Sequence, residues 1–274
     1  MTGTLYIVST PIGNLEDITL RALRILKEVD VIAAEDTRHS LKLLTHYGIK
    51  KPLISYWGEK EKIRAEETLQ KLKDGRNIAL ISDAGTPGIS DPGALLIRRA
   101  IEHGMRVVPV PGPSAVITAL SLSGMPTEEF TFIGFLPVRR SQRRKALQRL
   151  SLEKRSLVFY EAPHRIIETL DDVTEIMGER AVVVIKELTK FHEEVLRGTL
   201  SDVLTRLTQT TIAGEYVVIL AGRQEKEDVS LDDAVAEVRE LMRRGLGRKD
   251  AVKRTAEEYG LSKKELYDRS LEGE

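Results

Sequence analysis

The stretch Ser82-Asp83-Ala84-Gly85-Thr86-Pro87-Gly88-Ile89-Ser90-Asp91-Pro92-Gly93 decides the fold, and it directly follows the apolar run Ile78-Ala79-Leu80-Ile81. An apolar run that ends in a loop of glycine, proline and small hydroxyl residues is typical of a buried strand that delivers a rigid loop. Glycines let the backbone approach a ligand closely, and prolines fix the shape of the loop. Because open α/β sheets bind ligands at the carboxyl edge, the stretch predicts a binding site there. An ordinary strand-to-helix turn is the alternative interpretation.

Two more loops have the same character. Residues 9–15 (Ser-Thr-Pro-Ile-Gly-Asn-Leu) follow the first apolar run, and residues 109–115 (Pro-Val-Pro-Gly-Pro-Ser-Ala) follow a later one. Three small-residue loops that each follow an apolar run favour a single binding floor.

The order of strand-like and helical patterns predicts two α/β units. Strand-like runs at 5–9, 31–34, 53–56, 78–82 and 107–110 alternate with helical patterns, which predicts a mostly parallel sheet with right-handed crossovers. Further strand-like runs at 130–135, 157–160, 181–186, 195–199 and 216–221, with a helix over 161–177, predict a mixed sheet with antiparallel pairs. We place the domain boundaries at 1–120, 121–224 and 225–274.

The last segment is charged and helical. Three short helices with tight turns at Gly245–Gly247 and Gly260 resemble a helix-turn-helix module. A helical appendage that only packs or dimerises is an equal alternative.

Composition excludes several classes of protein. The chain has 41% hydrophobic and 31% charged residues, and no apolar stretch approaches the ~20 residues that span a bilayer. No signal peptide is visible. We therefore expect a cytoplasmic protein without a membrane partner. The absence of cysteine excludes disulfides, thiolate zinc sites and cysteine nucleophiles. The five histidines lack zinc-site spacing, and we expect no catalytic metal.

Basic residues are concentrated in two places, although 42 basic and 42 acidic residues balance over the chain. Such clusters either form solvated helix faces or contact a phosphate backbone. The RNA-binding candidates are Arg139, Arg140, Arg143, Arg144, Arg248 and Lys249. Tyr56 and the single tryptophan, Trp57, are candidates for stacking on unpaired bases, although a partly buried anchor is equally consistent with Trp57.

Five segments together resemble the signature segments of the tetrapyrrole-methylase superfamily. They are Thr10-Pro11-Ile12-Gly13-Asn14-Leu15-Glu16-Asp17, Ala34-Glu35-Asp36-Thr37-Arg38, Ser82 to Gly93, Pro111-Gly112-Pro113-Ser114-Ala115 and Tyr160-Glu161-Ala162-Pro163-His164-Arg165. Corrin-ring members usually have a Gly-x-Gly-x-Gly-Asp first loop, whereas the first loop here has one glycine, which favours the RNA-modifying branch. The resemblance implies two α/β domains with the cofactor cleft between them, plus a small C-terminal helical domain.

The resemblance also implies an activity. Members of that branch are S-adenosylmethionine-dependent homodimers that methylate the ribose 2′-hydroxyl of a decoding-region cytidine in 16S rRNA. The expected partner is therefore 16S rRNA or the small ribosomal subunit. By position in the family, the cofactor-binding residues are Pro11, Gly13, Asp83, Ala84, Gly85, Thr86, Ser114 and Ala115, together with the backbone near Tyr160 and Tyr216.

A 2′-hydroxyl is a weak acid, so a general base or a lysine that stabilises the developing alkoxide would assist methyl transfer. Lys186-Glu187, at the end of an apolar strand, is the most suggestive pair, and we expect one of them to touch the acceptor ribose. A structural role is the simpler interpretation of each residue alone. Two other functions stay open: methylation of a tetrapyrrole or a protein side chain by the same fold, and a non-catalytic RNA-binding or assembly protein.

Overall fold

A computed structural model describes residues 2–56, 61–224 and 230–271. Of the two predicted base-stacking residues, Trp57 lies outside these ranges. Tyr56 is buried in the core and cannot stack on a base. The described chain divides into two compact units, Met1–Gly222 and Arg223–Glu274.

The first half of the larger unit is built on a parallel sheet. Its strands are β1 (Thr4–Val8), β2 (Val31–Ala34), β3 (Leu53–Ser55), β4 (Ile78–Ile81) and β5 (Arg106–Val110), in the spatial order β3-β2-β4-β1-β5. Its helices are α1 (Leu20–Glu28), α2 (Thr37–His46), α3 (Glu61–Lys73), α4 (Ala94–Glu102) and α5 (Ala115–Ser123). Every pairing is parallel, as the alternation of strands and helices predicted.

Both faces of this sheet are covered, which explains why its strands are apolar at successive positions. Ile32 and Ala34 pack in the cluster formed with α1 and α2, whereas Val31 and Ala33 pack in the cluster formed with α3 and α4. Successive side chains of a strand point to opposite faces, so a strand between two helical layers needs apolar residues on both sides.

The second half contains a mixed sheet. Its strands are β6 (Phe130–Phe135), β7 (Ser156–Glu161), β8 (Ala181–Lys186), β9 (Glu194–Thr199) and β10 (Tyr216–Leu220), in the order β6-β7-β10-β8-β9. Its helices are α6 (Arg140–Leu150), α7 (Ile166–Met177) and α8 (Leu200–Thr208). Only the β6–β7 pairing is parallel within the described sheet, so the expected mixed character is confirmed.

The helix predicted over 161–177 begins later than expected. Residues up to Glu161 continue strand β7, and Pro163–Arg165 form a short 3-10 turn before α7. Proline fixes its own backbone and lacks an N–H donor, so it suits such a helix start better than a helix interior.

Helix α5 joins the two halves. Its Val116, Ala119 and Leu120 pack against Val158 and Val217 on one face of the second sheet. The other face is covered by α6, α7 and α8. The proposed division between residues 120 and 121 falls inside this helix, and the division into three domains stays a prediction.

The smaller unit is helical. Its helices are α9 (Leu231–Arg243), α10 (Arg248–Tyr259) and α11 (Lys263–Leu271), and their apolar faces share a core that includes Val238, Ala251, Val252 and Leu266. Ser230 caps α9 by accepting a hydrogen bond from the Asp233 backbone N–H at 3.1 Å. Within the described residues no helix is both long and apolar enough to cross a bilayer.

Candidate functional site

The three small-residue loops meet at the carboxyl edge of the parallel sheet. They follow β1, β4 and β5, which are neighbours in the sheet order, so their loops emerge side by side. Thr10 and Gly85 exchange backbone hydrogen bonds, with Thr10 N to Gly85 O at 2.8 Å and Gly85 N to Thr10 O at 3.1 Å. The Ser9 and Thr86 hydroxyls are 2.8 Å apart. The expectation of a single floor is therefore met by direct contacts.

At two positions, neighbouring atoms come so close to the backbone that only glycine fits. A Cβ on Gly112 would lie 2.9 Å from Ser9 Cβ, which joins the third loop to the first. A Cβ on Gly13 would lie 2.7 Å from Thr189 Oγ1 and 3.0 Å from Leu188 O. The first loop thus packs directly against the segment between β8 and β9, and the two sheets meet at this edge.

Four carboxylates lie along the same edge. The Asp83 carboxylate accepts a hydrogen bond from Asp36 N at 3.1 Å, and Asp83 N donates to Glu35 Oε2 at 3.2 Å. Burial raises the pKa of Glu35, and burial together with the negative charge of Glu35 raises the pKa of Asp91 to about 6. Crowded, partly desolvated carboxylates of this kind favour a cationic ligand group. No cluster of three metal-ligating side chains occurs among the described residues.

Tyr160 extends the site onto the second sheet. Its half-buried ring packs against Phe132 at 5.2 Å and Phe135 at 5.4 Å between centroids. Burial, with the charge of Asp91 as a further cause, raises the pKa of Tyr160 to about 12. Tyr160 is therefore close enough to Asp91 for the negative charge of that carboxylate to oppose loss of the tyrosine proton, and the tyrosine stays neutral.

Most of the predicted cofactor residues gather at this edge. Asp83, Thr86, Ser114, Ala115 and Tyr160 are half-buried. Gly13 and Ala84 are exposed, and Pro11 and Gly85 are buried at the loop contacts.

Tyr216 reaches the edge of the site through its backbone, and its cofactor-binding role stays a prediction. Its side chain is 2% exposed and packs in the core beneath α6–α8, whereas Tyr160 belongs to the cluster on the opposite face. Adjacent strand positions alternate between faces, and Tyr216 lies opposite Glu161 rather than Tyr160. Only the backbone of Tyr216 lies at the site edge.

Lys186 and Glu187 already have protein partners. Lys186 Nζ donates to Thr211 O at 2.7 Å. The Glu187 carboxylate accepts from Lys190 Nζ at 2.8 Å and from Glu215 N at 3.0 Å, and the bond from Lys190 lowers the pKa of Glu187. A carboxylate with a lowered pKa is a weak base, so these contacts favour a positioning role for Glu187. The catalytic assignment of both residues stays a prediction.

The sequence pointed to Glu187, but it gave no sign that residues 188–190, which follow it after β8, also lie at the site. Glu187 and Thr189 have φ angles of 52° and 65°, a region that non-glycine residues rarely adopt. Backbone strain of this kind clusters at functional sites. The residue types do not predict this backbone strain, because glutamate and threonine occur in every kind of structure.

The arginines of α6 require a correction. Arg143 is fully buried, with Nη2 at 2.8 Å from both Asp172 Oδ2 and Glu168 Oε1. Arg140 and Arg144 also pair with Asp172. Arg143 is therefore enclosed by its acidic partners and cannot contact RNA. The prediction failed because these partners, on α7, are distant in sequence. Arg139 is exposed and keeps its predicted role as a proposal.

In the smaller unit, Arg248 and Lys249 begin α10. Lys249 is exposed, and Arg248 is half-buried. Lys249, Lys253, Lys263 and Lys264 border a shallow depression with Val252 and Tyr267 in its wall. Their role in RNA binding stays a prediction.

The chain belongs to the tetrapyrrole methylase family. Residues 4–204 match the family described as Tetrapyrrole (Corrin/Porphyrin) Methylases, and residues 228–274 match the RsmI C-terminal HTH domain.

Curated relatives are similar over almost the whole chain. Ribosomal RNA small subunit methyltransferase I of Halalkalibacterium halodurans is 47% identical over 271 residues, which cover 97% of this chain and 94% of that protein. The protein of the same name from Synechocystis is 46% identical and covers 98% of each chain.

Solved structures share the fold. The cobalt precorrin-4 methyltransferase CbiF aligns with a TM-score of 0.61 at 17% identity, over 80% of this chain and 94% of that one. Uroporphyrin-III C-methyltransferase from Thermus thermophilus, complexed with S-adenyl homocysteine, aligns with a TM-score of 0.57 at 19% identity, over 80% and 97%. The predicted fold class is confirmed.

Proposed function

We propose that this protein is an S-adenosylmethionine-dependent methyltransferase of small-subunit ribosomal RNA, with the ribose 2′-hydroxyl of a decoding-region cytidine in 16S rRNA as the acceptor. The observation that carries the proposal is near-complete similarity, at 46–47% identity, to proteins named ribosomal RNA small subunit methyltransferase I. A site built from close-packed backbone loops supports the same chemistry.

The residues at the carboxyl edge fit the methyl donor. Gly13 and Gly112 leave no room for side chains between the loops, so the floor is lined by backbone that holds a ligand without side-chain movement. The carboxylates of Glu35, Asp83 and Asp91 provide a negative field for a sulfonium and an ammonium group. When bound, S-adenosylmethionine supplies an electrophilic methyl carbon attached to a positively charged sulfur.

The protein's main contribution to an in-line methyl transfer is alignment. Attacking oxygen, methyl carbon and departing sulfur must be collinear, and positioning of this kind can supply several kcal/mol of the barrier reduction, up to about 7–11 kcal/mol in the best cases. The Thr10–Gly85 exchange and the Ser9–Thr86 contact hold the first two loops in one geometry. Glu187 and Lys190 hold the facing segment, which would orient the acceptor.

Lys186 is the residue of the predicted pair with the more available charge. Its ammonium donates to the Thr211 carbonyl, which is neutral, and would stabilise an alkoxide better than the carboxylate of Glu187 would remove a proton. If Lys186 touches the ribose, Lys186→Met lowers kcat more than tenfold while the free energy of unfolding changes by less than about 1 kcal/mol. An unchanged kcat would remove Lys186 from the reaction.

RNA contact is proposed for the exposed Arg139, for Arg140 and Arg144, and for Arg248 and Lys249 in the smaller unit. A cytoplasmic location accompanies this proposal, since ribosomal RNA is the substrate. Homodimer formation is proposed from the family resemblance alone.

The test of the function uses S-adenosylmethionine labelled in its methyl group. The purified protein is incubated with free 16S rRNA and, separately, with assembled small subunits from cells that lack the gene. We expect donor binding by calorimetry and transfer of label to at least one of the two RNAs. Donor binding without transfer to either RNA would favour another acceptor, a tetrapyrrole or a protein side chain. No heat of binding would favour the non-catalytic assembly protein.

A further inference from the structure

The segment that contains α2 has an unusual charge composition. Residues 37–52 contain Arg38, Lys42, Lys50 and Lys51 together with His39 and His46, and no aspartate or glutamate. In a chain whose basic and acidic residues balance, this is a local excess of positive charge.

The excess lies on the surface. Arg38, Lys42 and His46 are exposed and four residues apart, so they form one stripe about 12 Å long along the helix. Lys50 continues the exposed surface beyond the helix end. The opposite side of α2 is buried through Leu43 and Leu44.

Among the described residues, no acidic group pairs with the two lysines of this surface, whereas Arg38 has an acidic partner. Arg38 pairs with Asp36 at 3.0 Å, and its side chain remains 90% exposed. In the described ranges, Lys42 and Lys50 have no carboxylate within ion-pair distance. This is the reverse of α6, where Asp172 pairs with Arg140, Arg143 and Arg144. A positive surface with few acidic partners gains most from neutralising phosphates, because counterions leave the nucleic acid.

The surface also has apolar character. Leu41 is 53% exposed and borders a shallow groove with Ile49 and Pro52, flanked by Lys50 and Lys51. Lysines beside an apolar groove fit a nucleic-acid strand, whose phosphates and flat bases need both kinds of contact.

The position of α2 connects this surface to the candidate site. Asp36, which caps α2, donates its backbone N–H to Asp83 in the central loop. At the other end, the Tyr47 hydroxyl donates to Leu15 O at 2.6 Å, and Leu15 is the last residue of the first loop. A nucleic-acid strand bound along α2 would therefore lie next to the loops at both ends of the helix.

We propose that the exposed face of α2, through Arg38, Lys42, His46 and Lys50, binds the phosphate backbone of the RNA strand that carries the acceptor ribose. The inference rests on the proposed function for the identity of the nucleic acid. It assigns to α2 the RNA contact that the sequence assigned to Arg143 on α6.

The test compares two double variants of the full-length protein. Lys42→Gln/Lys50→Gln removes two charges from the α2 face. Lys27→Gln/Lys73→Gln removes two charges from exposed positions in the last turns of α1 and α3, away from the carboxyl edge. All four positions are exposed, so both variants are expected to fold, which a thermal unfolding curve checks.

The measurement is the dissociation constant for a 16S rRNA fragment that contains the decoding region, taken at a series of salt concentrations. For the α2 variant we expect roughly tenfold weaker binding at low salt, and a salt-dependence slope smaller in magnitude by about 0.7–0.9 for each lysine removed. The control variant should bind like the wild type, and both should bind S-adenosylmethionine unchanged.

Equal affinity and equal salt slope for the two variants would overturn the α2 proposal, even if the wild type methylates RNA. A wild type that binds the fragment through α2 but transfers no methyl group to any small-subunit RNA would overturn the proposed function and leave the binding surface standing. The two failures are therefore distinguishable.

Discussion

Thr10 and Gly85 are joined by two reciprocal backbone hydrogen bonds, although 75 residues separate them in the chain. The Thr10 hydroxyl adds a third bond to Ser82 O at 3.1 Å in a buried position. This small bridge fixes the loop after β1 to the loop after β4. The binding floor is thus a single backbone unit, and its shape depends on contacts between loops more than on any one side chain.

Gly13→Ala is expected to separate the two sheets at the site. The added methyl would overlap Leu188 O and the Thr189 hydroxyl, and overpacking of this kind costs about 1–3 kcal/mol. Urea unfolding should show that loss, and calorimetry should show weaker binding of S-adenosylmethionine. Gly247→Ala is the control, since a Cβ there meets only Asp250 Oδ2 at 3.7 Å. Equal donor affinity in Gly13→Ala and wild type would contradict the proposed floor.

Asp172→Ala is expected to destabilise the larger unit by about 3–5 kcal/mol, because the buried Arg143 would lose its carboxylate at both Nε (2.9 Å) and Nη2 (2.8 Å). Glu175→Gln on the same helix is the matched control and should cost less than about 1 kcal/mol, since Glu175 is 55% exposed. Denaturant midpoints measure both variants. Similar losses for the two would show that the α6–α7 ion pairs are not a buried structural network.

The loop after β8 should depend on the Glu187–Lys190 pair. Glu187→Ala removes the partner of Lys190 and of the Glu215 N–H, with an expected loss of about 1–3 kcal/mol. Because the pKa of Glu187 is lowered in the folded state, its contribution is present above the unfolded pKa and is lost as pH falls through the folded pKa. The difference in unfolding free energy between variant and wild type should therefore shrink in acid. A difference that is constant down to strongly acidic pH would argue against this pairing.

Asp91 should show the opposite pH dependence. Its pKa is raised from 3.8 to about 6, so the folded state binds the proton more tightly than the unfolded chain does. Stability should fall as pH rises from about 4 to about 6, and Asp91→Asn should remove that fall, making the variant more stable at neutral pH by on the order of 1 kcal/mol after solvent screening. Glu35, Asp83 and Tyr160 face this carboxylate and stay in place in the variant. Chemical unfolding at several pH values measures the effect, and parallel curves for both proteins would contradict it.

The sequence predicted the strands and loops well because the residues that define each of them lie within the segment itself. Strands such as Val31–Ala34 and Ala181–Lys186 have the predicted bounds, since each is an apolar run with turn residues at its ends. The loops that follow β1, β4 and β5 were recognisable by their glycines and prolines for the same reason.

The errors concern contacts between distant residues. Arg143 resembles its neighbours in sequence, and only Asp172, 29 positions away, shows that it is buried. The side-chain direction of Tyr216, on which the sequence made no prediction, likewise depends on strand register, which no motif near it reveals. Residues 37–52 contain no acidic residue, but the sequence alone does not show that their cations form one exposed surface.

The most direct test of the central claim is mass spectrometry of 16S rRNA after incubation with the protein and methyl-labelled S-adenosylmethionine, with nuclease fragments assigned to their positions in the RNA. We predict one labelled fragment from the decoding region, in which the methyl group is on the ribose of a cytidine. Label on a base, label elsewhere in the RNA, or RNA without label in either free or assembled form would contradict the account.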